Sequence, residues 1–130
     1  MGYLERVFEI ARDIDPDQPL TAAPWSYPDG YGVSEDAQLE PIQKRAVELS
    51  DIVSFHQYEN FERVRQAVNG LSKEGRPLIN TEWLNRILDN NISELLPYFY
   101  ETGSAATIGA GCRKVTVLSS LGLSERGRGA

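Results

Sequence analysis

The sequence predicts an α/β fold in which parallel strands alternate with crossover helices. Apolar residues recur at helical spacing in four segments, and short apolar runs typical of buried strands separate these segments. The strand-like runs begin near residues 20, 52, 78 and 105, at intervals of 32, 26 and 27 residues. An eight-unit (β/α) barrel averages roughly 30 residues per unit. We therefore predict a partial (β/α)8 TIM barrel, with a doubly wound open sheet as the main structural alternative.

The first half of the chain predicts two helices separated by a strand and a long loop. Apolar spacing between residues 4 and 14 predicts the first helix, which the Asp-Pro-Asp sequence at residues 15–17 ends. Residues 18–25 are predicted to form a strand. Residues 26–38 are rich in Gly, Pro, Asp and Ser, and a loop of this length is often functional. Residues 42–49 predict the second helix.

The second half continues the same alternation. Strands are predicted at residues 51–58 and 76–83, and the helix between them covers residues 61–71, with Asn60 as its N-cap. A fourth helix begins near residue 92 and ends at Gly103, because glycine is the usual residue after a helix. Residues 104–111 predict a last strand.

Composition excludes several classes of function. The net charge of −6 argues against nucleic-acid and anionic-membrane partners, because both require clustered Lys and Arg. One cysteine and one histidine leave no cluster with the spacing of a metal site, and no glycine-rich nucleotide motif follows a strand. No apolar run approaches the roughly 18 residues that a membrane-spanning helix needs. We predict no metal, no cofactor, no nucleic acid and no membrane partner.

Chemically capable side chains end two neighbouring strands of the predicted sheet. His56 and Tyr58 lie at the end of one strand, and Glu82 lies at the end of the next. The carboxyl ends of parallel strands meet at one edge, so these side chains are expected to converge. A single glutamate or histidine is more often a solvated or structural residue, and this alternative stays open. Four aromatic residues near predicted strand ends suit a sugar-stacking cleft: Trp25, Tyr27, Tyr31 and Trp83.

Two quoted segments carry a family resemblance. "DIVSFHQYENFERV" followed by "GRPLINTEWLNR" resembles the C-terminal half of a clan A retaining glycoside hydrolase barrel, of the cellulase-like or β-mannosidase-like kind in families 2 and 5. The resemblance covers residues 3–103 and implies barrel strands five to eight. It implies that Glu82 is the catalytic nucleophile and that His56 and Tyr58 flank it. It assigns sugar contacts to Trp25, Tyr27 and Trp83.

The resemblance also implies an incomplete active site. In that family the acid/base carboxylate ends strand four, upstream of the helix that "YLERVFEIARDI" resembles, so the sequence holds the nucleophile alone. The expected function is a fragment of a retaining β-glycoside hydrolase that cleaves O-glycosidic bonds in oligo- or polysaccharides. The isolated fragment is expected to be inactive, with a carbohydrate partner and self-association through exposed half-barrel edges. The alternatives are a non-catalytic carbohydrate-binding or interaction domain, and an unrelated α/β domain in which Glu82 is structural.

The C-terminal segment departs from the family pattern. The predicted barrel domain covers residues 1–103, whereas residues 104–130 lack the sequence of the family's eighth strand and its tryptophan. A frameshift near residues 103–105 would produce this change. We predict that residues 104–130 form an aberrant and partly disordered tail.

Overall fold

A computed structural model describes residues 2–110 and 113–117, with side chains described through residue 107. Four α-helices form where the sequence predicts them: α1 Tyr3–Asp13, α2 Pro41–Leu49, α3 Phe61–Leu71 and α4 Ile92–Thr102. The strands are β1 Val53–His56, β2 Leu78–Glu82, β3 Ala105–Ala110 and β4 Arg113–Val117. The predicted helices and the last three predicted strands are therefore confirmed.

The sheet has the strand order β1-β2-β3-β4. β1, β2 and β3 are parallel, and β4 runs antiparallel to β3. Val53 lies opposite Leu78, and Ile79 lies opposite Ala105. Helices α3 and α4 connect the parallel strands, because parallel neighbours need a crossover.

The prediction of a partial (β/α)8 TIM barrel with strands five to eight is wrong. The described chain forms four helices and three parallel strands, which are too few strands and too small a structure for half a barrel. β4 also pairs antiparallel with β3, on the side where a barrel would place another parallel strand. A spacing of roughly 30 residues is common to parallel β/α units in general, so it could not separate a barrel from a short mixed sheet.

Residues 18–25, predicted as a strand, run beside β1 without forming a regular ladder. The Leu20 carbonyl accepts a hydrogen bond from the Asp51 amide at 2.8 Å. Further along, the Thr21 hydroxyl accepts a hydrogen bond from the Ser54 amide at 3.2 Å, in place of a backbone carbonyl. The strand prediction is wrong here because a side chain takes the position of a ladder bond.

The hydrophobic core lies between the sheet and helices α2, α3 and α4. Val53 and Phe55 share one face of β1, because side chains alternate along a strand, and both are fully buried. Leu95 and Phe99 of α4 are buried in the same cluster. The remaining members of this core are Tyr31, Val47, Val64, Ala67, Val68, Leu71, Leu78, Trp83 and Ala106.

The long loop at residues 26–38 packs on α3 through two glycines. A Cβ at Gly70 would lie 2.3 Å from the ring of Tyr31, so only glycine lets that ring pack on the helix. Gly32 has a φ of +75°, and a Cβ there would lie 2.0 Å from the Gln66 carbonyl oxygen. The loop therefore covers part of the core, with Tyr31 as its buried anchor.

Asn80 is a polar residue in the core. It lies opposite Phe55 in the β1–β2 ladder and is fully buried. Within the described part of the chain, neither polar atom of its side-chain amide has a hydrogen-bond partner. A buried polar group without a partner usually costs stability.

The predicted tail and the predicted lack of a membrane-spanning helix are the two remaining sequence predictions about the fold. Most of the predicted aberrant tail, residues 104–130, lies outside the described residues, so the proposed frameshift stays a prediction. None of the helices within residues 2–110 combines the length and the apolar character needed to cross a membrane.

Candidate carboxylate site at the strand ends

A register shift aligns the ends of β1 and β2. Phe55 pairs with Asn80, but the next pair along the ladder is His56 with Glu82, so Thr81 is an extra residue in β2. Such a bulge locally redirects the side chains that follow it. It places the predicted nucleophile and the predicted histidine directly opposite each other.

The structure brings together the three predicted catalytic residues, Glu82, His56 and Tyr58. The Tyr58 hydroxyl donates a hydrogen bond to Oε2 of Glu82. Nδ1 of His56 lies 3.6 Å from the same oxygen. The side chain of Glu82 is 52% exposed and that of His56 is 24% exposed, so the cluster is open to solvent on the carboxylate side. The catalytic roles of these residues remain predictions.

The Tyr58–Glu82 hydrogen bond changes the acidity of the tyrosine. Donation to the Glu82 carboxylate is the main cause that raises the pKa of Tyr58 above its usual range, with smaller effects from burial and from the negative charge of Glu82. The phenol therefore keeps its proton across the neutral range and remains a donor. Oε2 of Glu82 is thereby engaged by Tyr58.

Asn90 ties together the two chain segments that carry the site. Its side-chain amide donates to the Gln57 carbonyl at 3.3 Å and to the Glu59 carbonyl at 2.6 Å, on either side of Tyr58. Its Oδ1 accepts a hydrogen bond from the Leu84 amide at 2.7 Å, two residues after Glu82. Asn90 is fully buried, so water does not compete for these bonds.

Asn90 has no recognisable signal in the sequence. It lies in "LDNNIS", where an asparagine before a helix suggests only an N-cap. Its partners at residues 57 and 59 are more than 30 positions away, and no local pattern reveals contacts at that separation. We regard Asn90 as a positioning residue for Tyr58 and Glu82.

The backbone just beyond Glu82 is unusual. Leu84 has a φ of +68°, in the left-handed region that a branched side chain rarely adopts. Its amide is the one held by Asn90, at 2.7 Å. Strained residues of this kind are maintained by the surrounding structure and often lie at functional sites.

Trp83 faces the core. It is 7% exposed, and its indole N–H donates to the Thr107 carbonyl at 2.7 Å. Its ring packs edge-on against Phe99, with 5.2 Å between the ring centroids. In this position the ring anchors the end of β2 to the core. It exposes little surface on which a sugar could stack.

The other two predicted sugar-binding aromatics, Tyr27 and Trp25, have different surroundings. The Tyr27 ring packs against Tyr31 at 5.4 Å and its hydroxyl donates to the Pro24 carbonyl, while burial raises the pKa of Tyr27 far above its usual range. Trp25 is 63% exposed and lines an apolar groove of about 670 Å³ formed with α1 and α2. The structure therefore does not assemble Trp25, Tyr27 and Trp83 into one stacking surface.

Glu59, the acidic residue next to Tyr58, is engaged elsewhere. Its carboxylate accepts a hydrogen bond from the Arg63 guanidinium at 3.0 Å. Within residues 2–110 and 113–117, no group of three or more His, Cys, Asp or Glu side chains is placed to hold a metal ion. The chemistry of the site therefore rests on one carboxylate, one phenol and one imidazole.

Comparison with known proteins returns nothing for this chain. No family model matches it, and neither a curated protein nor a solved structure matches it. The chemistry available to Glu82, Tyr58 and His56 is therefore the basis for a functional proposal.

Proposed function

We propose that this chain carries the nucleophile side of a retaining β-glycoside hydrolase site, with Glu82 as the nucleophile. The observation that supports the proposal is the Tyr58 hydrogen bond to Glu82 Oε2, at the adjoining ends of two parallel strands. The resemblance of the His-x-Tyr and Thr-Glu-Trp segments to such enzymes points to the same residues. The proposal rests on these side chains and requires no barrel, because one chemistry can occur on several folds.

The hydrogen bond suits a carboxylate nucleophile. Tyr58 holds Oε2 of Glu82 in place, which leaves Oε1 to attack the anomeric carbon of a sugar. A bond forms between Oε1 and that carbon, the glycosidic bond breaks, and the leaving oxygen takes the bonding electrons. Water then releases the sugar with its original anomeric configuration.

The leaving group sets the limit of the reaction. Retaining enzymes place a second carboxyl about 5 to 5.5 Å from the nucleophile to protonate a poor leaving group, and general acid catalysis contributes about 10² to 10⁴-fold. Glu59 is the nearest acidic residue in sequence to Tyr58, but its carboxylate is paired with Arg63. We therefore expect attack on activated glycosides only, with no turnover of natural ones.

A covalent trap tests the role of Glu82. The full chain is incubated with 2-deoxy-2-fluoro-β-glucosides and mannosides that carry a dinitrophenolate leaving group, and intact-mass spectrometry detects a glycosyl adduct. We expect a slow adduct on Glu82 that peptide mapping locates and that Glu82→Gln abolishes. Glu59→Gln is the matched control, because it alters a neighbouring exposed carboxylate, and it should label like the unchanged chain.

Tyr58→Phe separates positioning from chemistry. Without the phenol, the adduct should still form but more slowly, because the carboxylate loses the hydrogen bond that positions it. An adduct on another residue, or no adduct with any activated sugar, would contradict the nucleophile role. Turnover of an unactivated glycoside would show that the chain contains its own acid.

Non-catalytic carbohydrate binding is the second candidate function. It is favoured by the openness of the site, because Glu82 and Tyr58 are both exposed and catalytic carboxylates generally act in sites shielded from water. An exposed carboxylate can accept hydrogen bonds from sugar hydroxyls without reacting, and the amide oxygen of a glutamine accepts them as well. Sugar binding that Glu82→Gln leaves unchanged, together with no adduct, would favour this function over the first.

A further inference from the structure

Helix α1 presents an apolar stripe to solvent. Its members are spaced by four, three and four residues, which is the spacing of a coiled-coil seam. Another side of the helix contacts the rest of the protein through Phe8, the one buried residue of the helix. The stripe consists of Tyr3, Val7 and Ile10 of α1 and of Ile14, the residue that caps the helix, which are 88%, 43%, 49% and 76% exposed.

The stripe continues into the groove beside it. Tyr3 and Val7 form one wall of the groove, and the exposed residues Trp25 and Ile42 lie on the other side. The two aromatic rings alone expose roughly 300 Å² of surface, given that such side chains bury 150–250 Å² each. Apolar patches of several hundred Å² on a soluble protein usually mark an interaction site.

We propose that this surface is the interface of a homodimer in which α1 packs antiparallel to α1 of a second copy. A two-fold axis then pairs Tyr3 with Ile14 of the second copy, and Val7 with Ile10 of the second copy. Because Ile14 lies opposite Tyr3, it reaches the mouth of the groove where Trp25 is exposed. The surface differs from the sheet edges that the sequence predicted for self-association.

Charge complementarity selects the second copy and the antiparallel orientation. Arg6 and Asp13 lie on the same side of the stripe, seven residues apart, at positions that face each other across an antiparallel pair. Symmetry brings each Arg6 to the Asp13 of the other copy, which gives two ion pairs. A parallel arrangement sets neither residue against an opposite charge. Arg6 also contacts Glu9 within its own helix at 3.2 Å, and this contact competes with the pairing.

The size of the surface predicts a weak dimer. α1 has three turns, and six exposed apolar side chains correspond to the low end of specific interfaces. We expect a dissociation constant in the micromolar range, and stronger association at low salt because the ion pairs are at the rim.

Sedimentation equilibrium of the full chain tests the dimer directly. The chain should change from monomer to dimer as its concentration rises to roughly 500 µM. Ile10→Asp should weaken association at least tenfold, because it places a charge in the centre of the seam. Ile87→Asp is the matched control: Ile87 is 93% exposed on a surface turn far along the chain, and the change should leave the dissociation constant unaltered.

Charge exchange tests the orientation. Arg6→Asp and Asp13→Arg should each weaken the dimer about tenfold, because each replaces two attractions by two repulsions. The double variant should restore the original dissociation constant to within about twofold, while circular dichroism confirms that every variant is folded. A chain that stays monomeric at roughly 500 µM would overturn the dimer and leave the stripe to a different partner. A double variant that fails to recover would overturn the antiparallel pairing.

Discussion

The strand ends and helix α1 are attached to the rest of the molecule in different ways. At the strand ends, the buried side chain of Asn90 makes three hydrogen bonds to backbone groups. α1 buries one side chain, Phe8, and its ion pairs with the rest of the protein lie at the surface: Arg12 to Asp51 at 2.9 Å and Arg45 to Glu5 at 2.8 Å. Only the first set is protected from water and salt.

This difference predicts different rigidity. Hydrogen bonds in a buried network are strong and hard to exchange with water, so the positions of Tyr58 and Glu82 should be well defined in solution. Surface ion pairs contribute little and weaken in salt, so α1 should undock at a lower free energy than the sheet unfolds. A helix attached in this way gains most from a second surface on its exposed side.

Asn90→Ala should destabilise the strand-end region and give the largest change in the free energy of unfolding. It removes three hydrogen bonds and leaves two carbonyls and one amide without their partner, so we expect a loss of about 3 kcal/mol in the free energy of unfolding. The free energy of unfolding is obtained from urea unfolding that is monitored by circular dichroism. Asn91→Ala is the control, because the Asn91 side chain donates hydrogen bonds to the exposed Asp89, and it should cost well under 1 kcal/mol. Equal effects of the two variants would contradict the role of Asn90.

Local features of this fold could be predicted from sequence, whereas its long-range features could not. Apolar spacing predicted the four helices, and the shared edge of parallel strands predicted that His56, Tyr58 and Glu82 would meet. The barrel prediction failed because unit spacing does not report how many strands a sheet has. The contacts of Asn90 and Thr21 are side-chain hydrogen bonds to distant backbone, and they leave no periodic pattern in the sequence.

Asn80→Leu tests a buried side-chain amide that has no hydrogen-bond partner among the described residues. Leucine has nearly the same shape and loses no hydrogen bond that the structure describes, so we expect a gain of about 1 to 2 kcal/mol in the free energy of unfolding. The measurement is urea unfolding at a fixed pH. A loss instead of a gain would mean that Asn80, like Asn90, makes hydrogen bonds that hold the sheet.

Low pH should weaken the attachment of α1. A hydrogen bond from the Arg12 guanidinium and, to a smaller extent, one from the Leu20 amide lower the pKa of Asp51 below its usual range. A lowered folded-state pKa gives stability that is present above the unfolded value of about 4 and is lost as the pH falls through the folded value. We expect the free energy of opening of α1, measured by hydrogen exchange, to fall below about pH 4. This fall should be smaller than the loss in the free energy of unfolding that we expect for Asn90→Ala.

Asp51→Asn checks the cause of that acid response. The amide keeps an acceptor for the Leu20 amide but loses the charge that faces Arg12. Its α1 exchange should be faster than in the unchanged chain at pH 7 and should respond less to acid. High salt should reproduce part of the effect in the unchanged chain. An unaltered acid response in the variant would assign it to another carboxylate, such as Glu5.

The smallest effect concerns Tyr58, whose exposed hydroxyl contributes more to site geometry than to stability. Because Glu82 raises the pKa of Tyr58, Glu82→Gln should lower that pKa towards its ordinary value near 10, and Glu59→Gln should leave it unchanged. Nuclear magnetic resonance of labelled tyrosine measures the titration, and Tyr58→Phe assigns the signal. The raised value means that this contribution is present below pH 10 and is lost as the pH rises through the folded pKa. A Tyr58 titration that ignores Glu82 would show that the hydrogen bond does not persist in water, and the proposed nucleophile would then lack its positioning donor.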